Sequence, residues 1–158
     1  VQVGFSDAKE KHISKPLMGH FGKNSVSPKR ILAEFNKVPS FDYKAGQVFN
    51  VGLFKEGDYV TVSGRSKGHG FSGTVKKYSF SQQRKTHGQG DTHRHVGSIG
   101  AASYPSRVFP GKKMPSRYGN KIVSVKSLEI IKVDKNNNQL LIKGSVPGSA
   151  NGVVMITR

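Results

Sequence analysis

The sequence predicts a mainly β protein, a small antiparallel β-barrel that carries a long, irregular basic extension and one or two short helices. Three observations support this prediction. Short runs rich in β-branched residues, separated by turn residues, lie on both sides of the middle of the chain. Helical segments are too few for βαβ units. Residues 64–120 show neither strand nor helix periodicity over most of their length. Because 158 residues usually form one domain, we expect residues 1–63 and 121–158 to form the barrel core, with residues 64–120 inserted into it.

The N-terminal part of the sequence contains a strand, a helix and an ambiguous segment. Val1–Phe5 alternates apolar residues with small or polar ones, which is typical of a strand. Ser14 is a suitable N-cap, and Pro16 in the first turn begins a helix that should end by residues 22–24. Residues 31–35 fit a strand or a helix, and a following proline ends the element in either case.

The remaining barrel strands are rich in β-branched residues, and turn residues join them. The predicted strands are Gln47–Leu53, Tyr59–Ser63, Lys121–Val125, Leu128–Val133, Gln139–Gly144 and Val153–Thr157. Asp134–Asn138 is predicted as the turn of a hairpin. A closed barrel would remove the exposed sheet edges. We expect the strands that flank the extension to lie close together, and Phe71–Tyr78 to form a helical segment at its root.

The extension, residues 64–120, is strongly basic. It holds eleven Lys and Arg residues and four His residues against one acid, Asp91, in a chain of formal net charge +17. Five of its aromatic residues are spaced singly, as for stacking, rather than clustered as a core: Tyr78, Phe80, Tyr104, Phe109 and Tyr118. A merely soluble surface usually mixes both signs of charge, so this pattern predicts an RNA-binding extension. Because residues 79–120 repel themselves and lack core-forming periodicity, we expect them to be disordered in the isolated protein and to fold on RNA.

Two enzyme motifs match residues 64–75 by letter. Gly68–Val75 fits the glycine-rich loop of nucleotide-binding enzymes, and Gly64–Gly68 spells the nucleophile elbow of hydrolases. A Rossmann site needs a βαβ unit, and a hydrolase needs a largely parallel sheet, whereas hairpins dominate this chain. A nucleotide- or acyl-substrate enzyme that uses the Gly64–Gly73 loop is therefore the alternative, and we predict no enzyme activity, no cofactor and no small-molecule substrate.

His87, Asp91, His93 and His95 have the ligand chemistry of a metal site. Neighbouring Arg and Lys side chains would repel a dication, so we predict no metal and assign the imidazoles to base stacking or phosphate contact. The sequence has no cysteine, which excludes disulfides and cysteine-ligated zinc. Because no apolar run approaches the roughly 20 residues that span a bilayer and no signal peptide opens the chain, we expect no membrane partner.

The segment Lys67–Lys77 resembles the KGxGFxGxVKR-type segment of the L-three family of large-ribosomal-subunit proteins. Further matches occur in the family's order over essentially the whole chain. They are Lys15–Pro16, Gly19–Phe21, Thr86–Gly88, His93–Arg94, Gly97–Gly100, Arg107–Met114, Leu128–Asp134 and Leu140–Gly148.

This resemblance implies a translation-protein-type β-barrel whose long central loop is threaded into large-subunit rRNA. Family members act early in subunit assembly, are not themselves the catalyst, and bring the loop tip close to the peptidyl transferase centre. By residue match, the tip lies around Thr86–Tyr104. The implied partners are large-subunit rRNA and neighbouring proteins of that subunit, on a cytoplasmic or organellar ribosome. A free RNA-binding translation factor is a second alternative.

The sequence departs from the family pattern at four places. The family's opening GxKxGMT-like strand is absent, which is consistent with a chain that begins mid-barrel. Val96 stands where proline is usual, and Pro115-Ser116 replaces a small-Gly pair. Ala101 stands where some bacterial members carry a methylated glutamine, so we expect no such modification here.

Basic, imidazole and aromatic side chains that fit rRNA contact form the predicted interface. They are Lys15, His20, Lys23, Arg65, Lys67, His69, Lys76, Lys77, Tyr78, Arg84, Lys85, His87, His93, Arg94, His95, Arg107, Lys112, Lys113 and Arg117. Close approach of the backbone to RNA is predicted at Gly68, Gly70, Gly73, Gly88, Gly97 and Gly100.

Overall fold

Antiparallel strand pairs make up most of the regular structure in the computed structural model, which describes residues 1–39 and 41–158. Two short α-helices accompany the strands in these residues, and neither has the length or apolarity to cross a membrane. The predicted mainly β, antiparallel fold is confirmed. The chain divides into two compact units, Val1–Leu53 and Phe54–Arg158.

The first unit pairs strand β1 (Gln2–Asp7) with strand β2 (Lys29–Glu34). Between them lie a single 3₁₀ turn, Glu10–His12, and helix α1 (Lys15–Lys23). Ser14 occupies the N-cap position of α1 with extended backbone, and the following proline fits the first turn. The predicted strand and helix are both confirmed, and the ambiguous segment after them is a strand.

The strand predicted at Gln47–Leu53 is wrong. Residues 41–50 are irregular, and Val51–Leu53 is a 3₁₀ turn. The apolar residues of this stretch do not line one face of a strand, because Val48 is 81% exposed. Phe49 instead joins a small aromatic group, with its ring centroid 6.2 Å from that of Phe41 and 6.3 Å from that of Tyr43. Local ring packing therefore replaces strand pairing here.

The second unit is built on a curled, four-stranded antiparallel half-barrel. In chain order its elements are β3 (Tyr59–Arg65), β4 (Phe71–Ser72), α2 (Thr74–Tyr78), β5 (Ser116–Arg117), β6 (Ile122–Asp134), β7 (Gln139–Ile142) and β8 (Val154–Thr157). The half-barrel has the strand order β7-β6-β3-β8, and β4 pairs separately with β5. The predicted closeness of the strands that flank the extension is confirmed, because Arg65 at the end of β3 lies opposite Ile122 at the start of β6.

Two predicted strands, Lys121–Val125 and Leu128–Val133, are parts of the single long strand β6. The interruption that separates them in the sequence is a β-bulge: Val60 lies opposite Leu128 and Val62 opposite Val125, so two residues of β6 face one of β3. Ser127, inside the bulge, has φ of 57°. A second register shift follows where β6 pairs with β7. Bulges bend a strand and increase its twist, which accounts for the curl of the sheet.

The core of this unit is built from residues on one face of the half-barrel strands. Val60, Val62 and Ile130 are at most 1% exposed, and partly buried apolar residues surround them: Phe54, Leu128, Val133, Leu140, Ile142, Val154 and Ile156. The core residues of β3 alternate with exposed or half-buried ones, as expected for a strand with one buried face.

The predicted hairpin turn after β6 is confirmed. The Asp134 carboxylate accepts hydrogen bonds from the backbone N–H of Asn136 (3.0 Å) and of Asn137 (3.3 Å). The Asn137 side chain donates a further bond of 2.8 Å, and this bond is the main cause of the lowered pKa of Asp134. The turn thus satisfies its own backbone donors with a short acidic side chain.

Beyond the sheet, the two arms of the extension stay paired through a segment that we call the root, residues 66–79 and 113–121. Ser66 N–H donates to the carbonyl of Lys121 (2.8 Å), and Tyr118 N–H donates to the carbonyl of Gly70 (2.8 Å). The β4–β5 pair lies further out. The helix predicted at Phe71–Tyr78 forms only from Thr74 onward, because its first two residues pair in β4.

The core assignment gives a test with two adjacent isoleucines. Ile130 is 1% exposed, whereas Ile131 is 56% exposed. Ile130→Ala should lower the free energy of unfolding by about 2–5 kcal/mol, because it removes buried methyl groups and leaves a cavity. Ile131→Ala, the matched control, should change it by only about 0.5 kcal/mol. Urea denaturation followed by circular dichroism measures both, and equal losses would contradict this placement of the core.

The root gives a second test, at Gly119. This residue has φ of 70°, and a Cβ added to it would lie 2.0 Å from the carbonyl oxygen of Lys67. Gly119→Ala should therefore force the two arms apart. Gly111 has φ of 80°, but among the described residues no atom lies within 4 Å of an added Cβ. Gly111→Ala is thus a control for backbone strain without the clash.

Limited trypsin digestion followed by mass spectrometry measures whether the arms of the root stay paired. We expect the wild-type protein and Gly111→Ala to be cut mainly at residues 84–94, in the irregular part of the extension. Gly119→Ala should add early cuts at Lys67, Lys76 and Lys77. An unchanged digestion pattern in Gly119→Ala would show that the root does not hold the arms together.

Candidate nucleic-acid interface

Side chains reinforce the backbone pairing of the root. The His69 imidazole stacks on the Tyr118 ring, with centroids 4.9 Å apart and planes 23° from parallel. Arg65 donates a hydrogen bond of 3.0 Å to the side-chain oxygen of Asn120. Arg65 and His69, both predicted to contact RNA, therefore also hold the root together. An arginine has five N–H donors, so this bond leaves most of the Arg65 guanidinium available to a ligand.

A group of two lysines and one tyrosine lies where α2 meets the returning arm. The Lys77 ammonium is 4.9 Å from the centroid of the Tyr78 ring, and the Lys113 ammonium is 5.7 Å from it. Lys77 also donates to the Ser116 hydroxyl. The hydrogen bond with Lys77 is the main cause of the lowered pKa of Tyr78, and the charges of both lysines act in the same direction. Cation–π contacts with the Tyr78 ring thus keep the two ammonium groups on one surface.

The distal part of the extension, residues 80–112, is folded back on itself by a few local contacts. Gln83 N–H donates to the carbonyl of His93 (3.1 Å). The Nδ1 atom of His93 lies 3.0 Å from the carbonyl oxygen of Arg84. Arg107 lies over the Phe109 ring, 5.2 Å from its centroid. These contacts bring Arg84 and His93 together, two residues that the sequence predicts for RNA contact.

A shallow concavity of about 590 Å³ lies beside this fold-back. Its lining residues are Gln83, Thr92, Arg94, His95, Val96, Gly97 and Pro115. Three of the predicted contact residues, Arg94, His95 and Gly97, therefore share one surface. Gly97 has φ of 78°, a conformation that favours glycine.

Among the described residues, no basic side chain of the extension forms an ion pair with a carboxylate. Within residues 1–39 and 41–158 the ion pairs are Lys29–Asp7, Lys143–Glu129 and Arg158–Asp58, and all three lie outside the extension. The basic side chains of the extension are thus unneutralised by carboxylates in the described part of the chain. A polyanion that approaches this surface would therefore meet little repulsion from carboxylates.

Three predicted contact residues, Lys15, His20 and Lys23, lie on α1 in the first unit. His20 Nε2 lies 2.8 Å from the side-chain oxygen of Gln2, and its ring packs edge-on against Phe21. Both lysines are exposed at the ends of the helix. They belong to the first unit and are not part of the extension.

The remaining predicted residues also lie in or beside the extension and are mostly exposed: Lys67, Lys76, Lys85, His87, Lys112 and Arg117. Of the predicted glycines, Gly70 and Gly88 have positive φ, whereas Gly68, Gly73 and Gly100 do not. The predicted set omits Tyr104 and Phe109, which are 90% and 57% exposed. Their single spacing in a basic stretch is the sequence signal that could have included them.

The surroundings of the extension do not favour the enzyme or metal alternatives. Gly64 lies inside β3, and the helix that follows the glycine-rich segment has only five residues. Nucleotide loops rely on a longer helix after the turn. Among the described residues, no group of three or more His, Asp or Glu side chains is arranged to hold a metal ion.

Known proteins similar to this chain agree in family. The model of the family described as Ribosomal protein L3 matches residues 36–139. Large ribosomal subunit protein uL3 of Thermotoga petrophila is 45% identical over 156 residues, which are 99% of this chain and 74% of that protein. The proteins of the same name from Thermotoga maritima and Petrotoga mobilis are 45% and 44% identical, over 99% of this chain and 74% and 73% of their own lengths. The resemblance inferred from the sequence motifs is confirmed, and the chain belongs to the ribosomal protein L3 family.

Proposed function

We propose that this protein is a structural, non-catalytic constituent of the large ribosomal subunit that binds large-subunit rRNA through its basic extension. The observation that supports this most directly is the extension itself, a basic segment without carboxylate partners in the described chain, attached to the half-barrel by a paired root. The names of the similar proteins point to the same subunit. The protein would act on the ribosome, in the cytoplasm or in an organelle, next to other proteins of that subunit.

In this proposal the extension has two roles, to attach the protein to rRNA and to order nearby RNA. Lysines and arginines of the root and its surroundings would neutralise phosphates, because ammonium and guanidinium groups pair with phosphate oxygens at low cost in exposed sites. Imidazole and phenol rings would stack on unpaired bases, as aromatic side chains commonly do in RNA complexes. In this proposal residues 1–63 and 121–158 act as the core, and residues 64–120 as the RNA-binding insertion.

The tip of the extension, around Thr86–Tyr104, would reach toward the peptidyl transferase centre. The family resemblance supports this placement, and the tip's composition fits it. Its stretch His87–Gly100 carries mainly His, Gly and the single Arg94 rather than paired lysines. Such a segment can order nearby RNA by shape and stacking while contributing little to overall affinity.

Co-purification tests the proposed function. The tagged full chain, expressed in cells, should co-sediment with large subunits and retain large-subunit rRNA after a high-salt wash. A free translation factor would be washed off. In a parallel thermal-shift screen, rRNA fragments should raise the melting temperature, whereas ATP and NAD should not, because only a ligand of the folded state stabilises it. Stabilisation by a nucleotide alone would favour the enzyme alternative.

Salt dependence tests the phosphate contacts. If about eight basic groups of the extension meet phosphates, log K against log salt concentration should fall with a slope of roughly −5 to −7. Replacing Lys112 and Lys113 with Gln should flatten that slope by about one to two units. Lys126→Gln with Lys135→Gln removes the same charge outside the extension and should leave the slope nearly unchanged. Filter binding to an rRNA transcript measures all three, and a salt-insensitive affinity would contradict phosphate-dominated binding.

A change at the tip separates attachment from function. His93→Ala with Arg94→Ala should leave incorporation into subunits nearly normal, because many other phosphate contacts remain. It should nevertheless disturb peptide-bond formation or the binding of drugs at that centre. The measurement is the content of this protein in purified mutant subunits, together with their peptidyl transfer activity. Full occupancy with unchanged activity and drug sensitivity would show that the tip does not order the centre.

A further inference from the structure

A second concave surface lies in the first unit and is lined by residues of that unit alone. It has a volume of about 590 Å³ and is formed where β1 ends, where the 3₁₀ turn and α1 follow, and where β2 begins. Its lining residues are Asp7, Ala8, Lys9, His12, Ile13, Leu17, Lys29 and Arg30. The β1–β2 register fixes one wall, because Asp7 lies opposite Lys29, and the N–H of Ala8 donates to the carbonyl of Pro28 (3.0 Å).

This cleft combines apolar side chains with unpaired positive charge. Ile13 is half-buried. Leu17, an apolar residue of α1, remains 43% exposed. The Asp7 carboxylate forms an ion pair with Lys29, so its charge is already neutralised. Lys9 and Arg30 are exposed, and neither is in an ion pair within the described residues. The cleft therefore presents a net positive edge beside apolar surface.

We propose that this cleft binds one unpaired nucleotide of RNA. The base would pack against the apolar side chains and the His12 imidazole, and the flanking phosphates would contact Lys9 and Arg30. The flat, apolar face of a base fits the apolar side chains of the cleft, and the anionic backbone on either side fits the cations at its edge. The volume lies within the range of about 300–1,000 Å³ that is usual for small-molecule sites. An acidic peptide would satisfy the cations but leave the apolar side chains uncovered.

The proposal rests on the proposed function, since large-subunit rRNA would supply the nucleotide. It adds a second point of attachment, built from residues that the sequence pattern does not single out. Lys9, His12 and Arg30 are dispersed along a segment that also holds acids, so their charge becomes visible only when the hairpin and the 3₁₀ turn bring them to one cleft.

Photo-crosslinking of the full chain to a large-subunit rRNA transcript that contains 4-thiouridine tests the site. Mass spectrometry should find crosslinked peptides that contain His12 or Ile13, in addition to peptides of the extension. Lys9→Gln with Arg30→Gln should lower the yield at the cleft at least fivefold and leave the crosslinks of the extension unchanged. Lys11→Gln with Lys37→Gln removes the same charge from exposed positions outside the cleft and should leave both yields within twofold.

His12→Ala gives an independent test, because His12 is exposed and its removal should leave the fold intact. It should lower the crosslink yield at the cleft without changing the melting temperature. Crosslinks confined to the extension would overturn the nucleotide site and leave the proposed function standing. Absence of crosslinks from the extension as well would defeat both. If a labelled decaglutamate peptide binds the wild-type chain but not the Lys9→Gln, Arg30→Gln variant, while crosslinks at the cleft are absent, the cleft is a site for an acidic protein segment.

Discussion

The mutual repulsion of the basic residues in the extension is the constraint on which the rest of this structure depends. Each pair of like charges costs only about 1 kcal/mol at 4 Å in water, and salt screens it over roughly 10 Å. Eleven such groups in residues 64–120, opposed by one acid, nevertheless give the segment no electrostatic reason to collapse. The protein must therefore hold the ends of the segment by other means.

The half-barrel holds the two ends of the extension together through one continuous antiparallel strand pair. The β3–β6 pairing runs from the buried core outward to Arg65 opposite Ile122, and the root extends it with further backbone bonds up to the β4–β5 pair. The same two strands that bury Val60 and Ile130 therefore set the direction in which the extension leaves the sheet. Backbone hydrogen bonds suit this role because charge repulsion between side chains does not weaken them directly. The root then needs small residues where the arms come closest, which explains why Gly119 cannot bear a side chain.

Sequence reasoning located the half-barrel strands and the extension, because both leave strong compositional signals. β3 is rich in β-branched side chains and β7 in aliphatic ones, and the extension differs in charge from its surroundings. The prediction of a strand at Gln47–Leu53 is wrong because Phe49 packs against other aromatic rings instead of pairing in a sheet. The alternation of apolar residues along the sequence does not reveal such ring contacts. The sequence does not reveal the root, because its paired residues are mostly glycine, polar or basic and show no periodicity of apolar side chains. The cleft of the first unit was invisible for a similar reason, since its residues meet only through the β1–β2 register.

Several residues of the extension have backbone in the left-handed region. Ser79, His87 and Ser106 have φ between 55° and 59°, a conformation that costs an L-residue roughly 1–2 kcal/mol. Strained residues persist where surrounding contacts over-determine them. At Ser79 the strain has such support, because this residue caps α2 and its N–H donates to the carbonyl of Val75 within the root. At His87 and Ser106 the surroundings are exposed, and local turns are the main internal support. In the proposed complex, a folded RNA would offset this cost, because it would supply phosphates for the cations and bases for the rings at the same time.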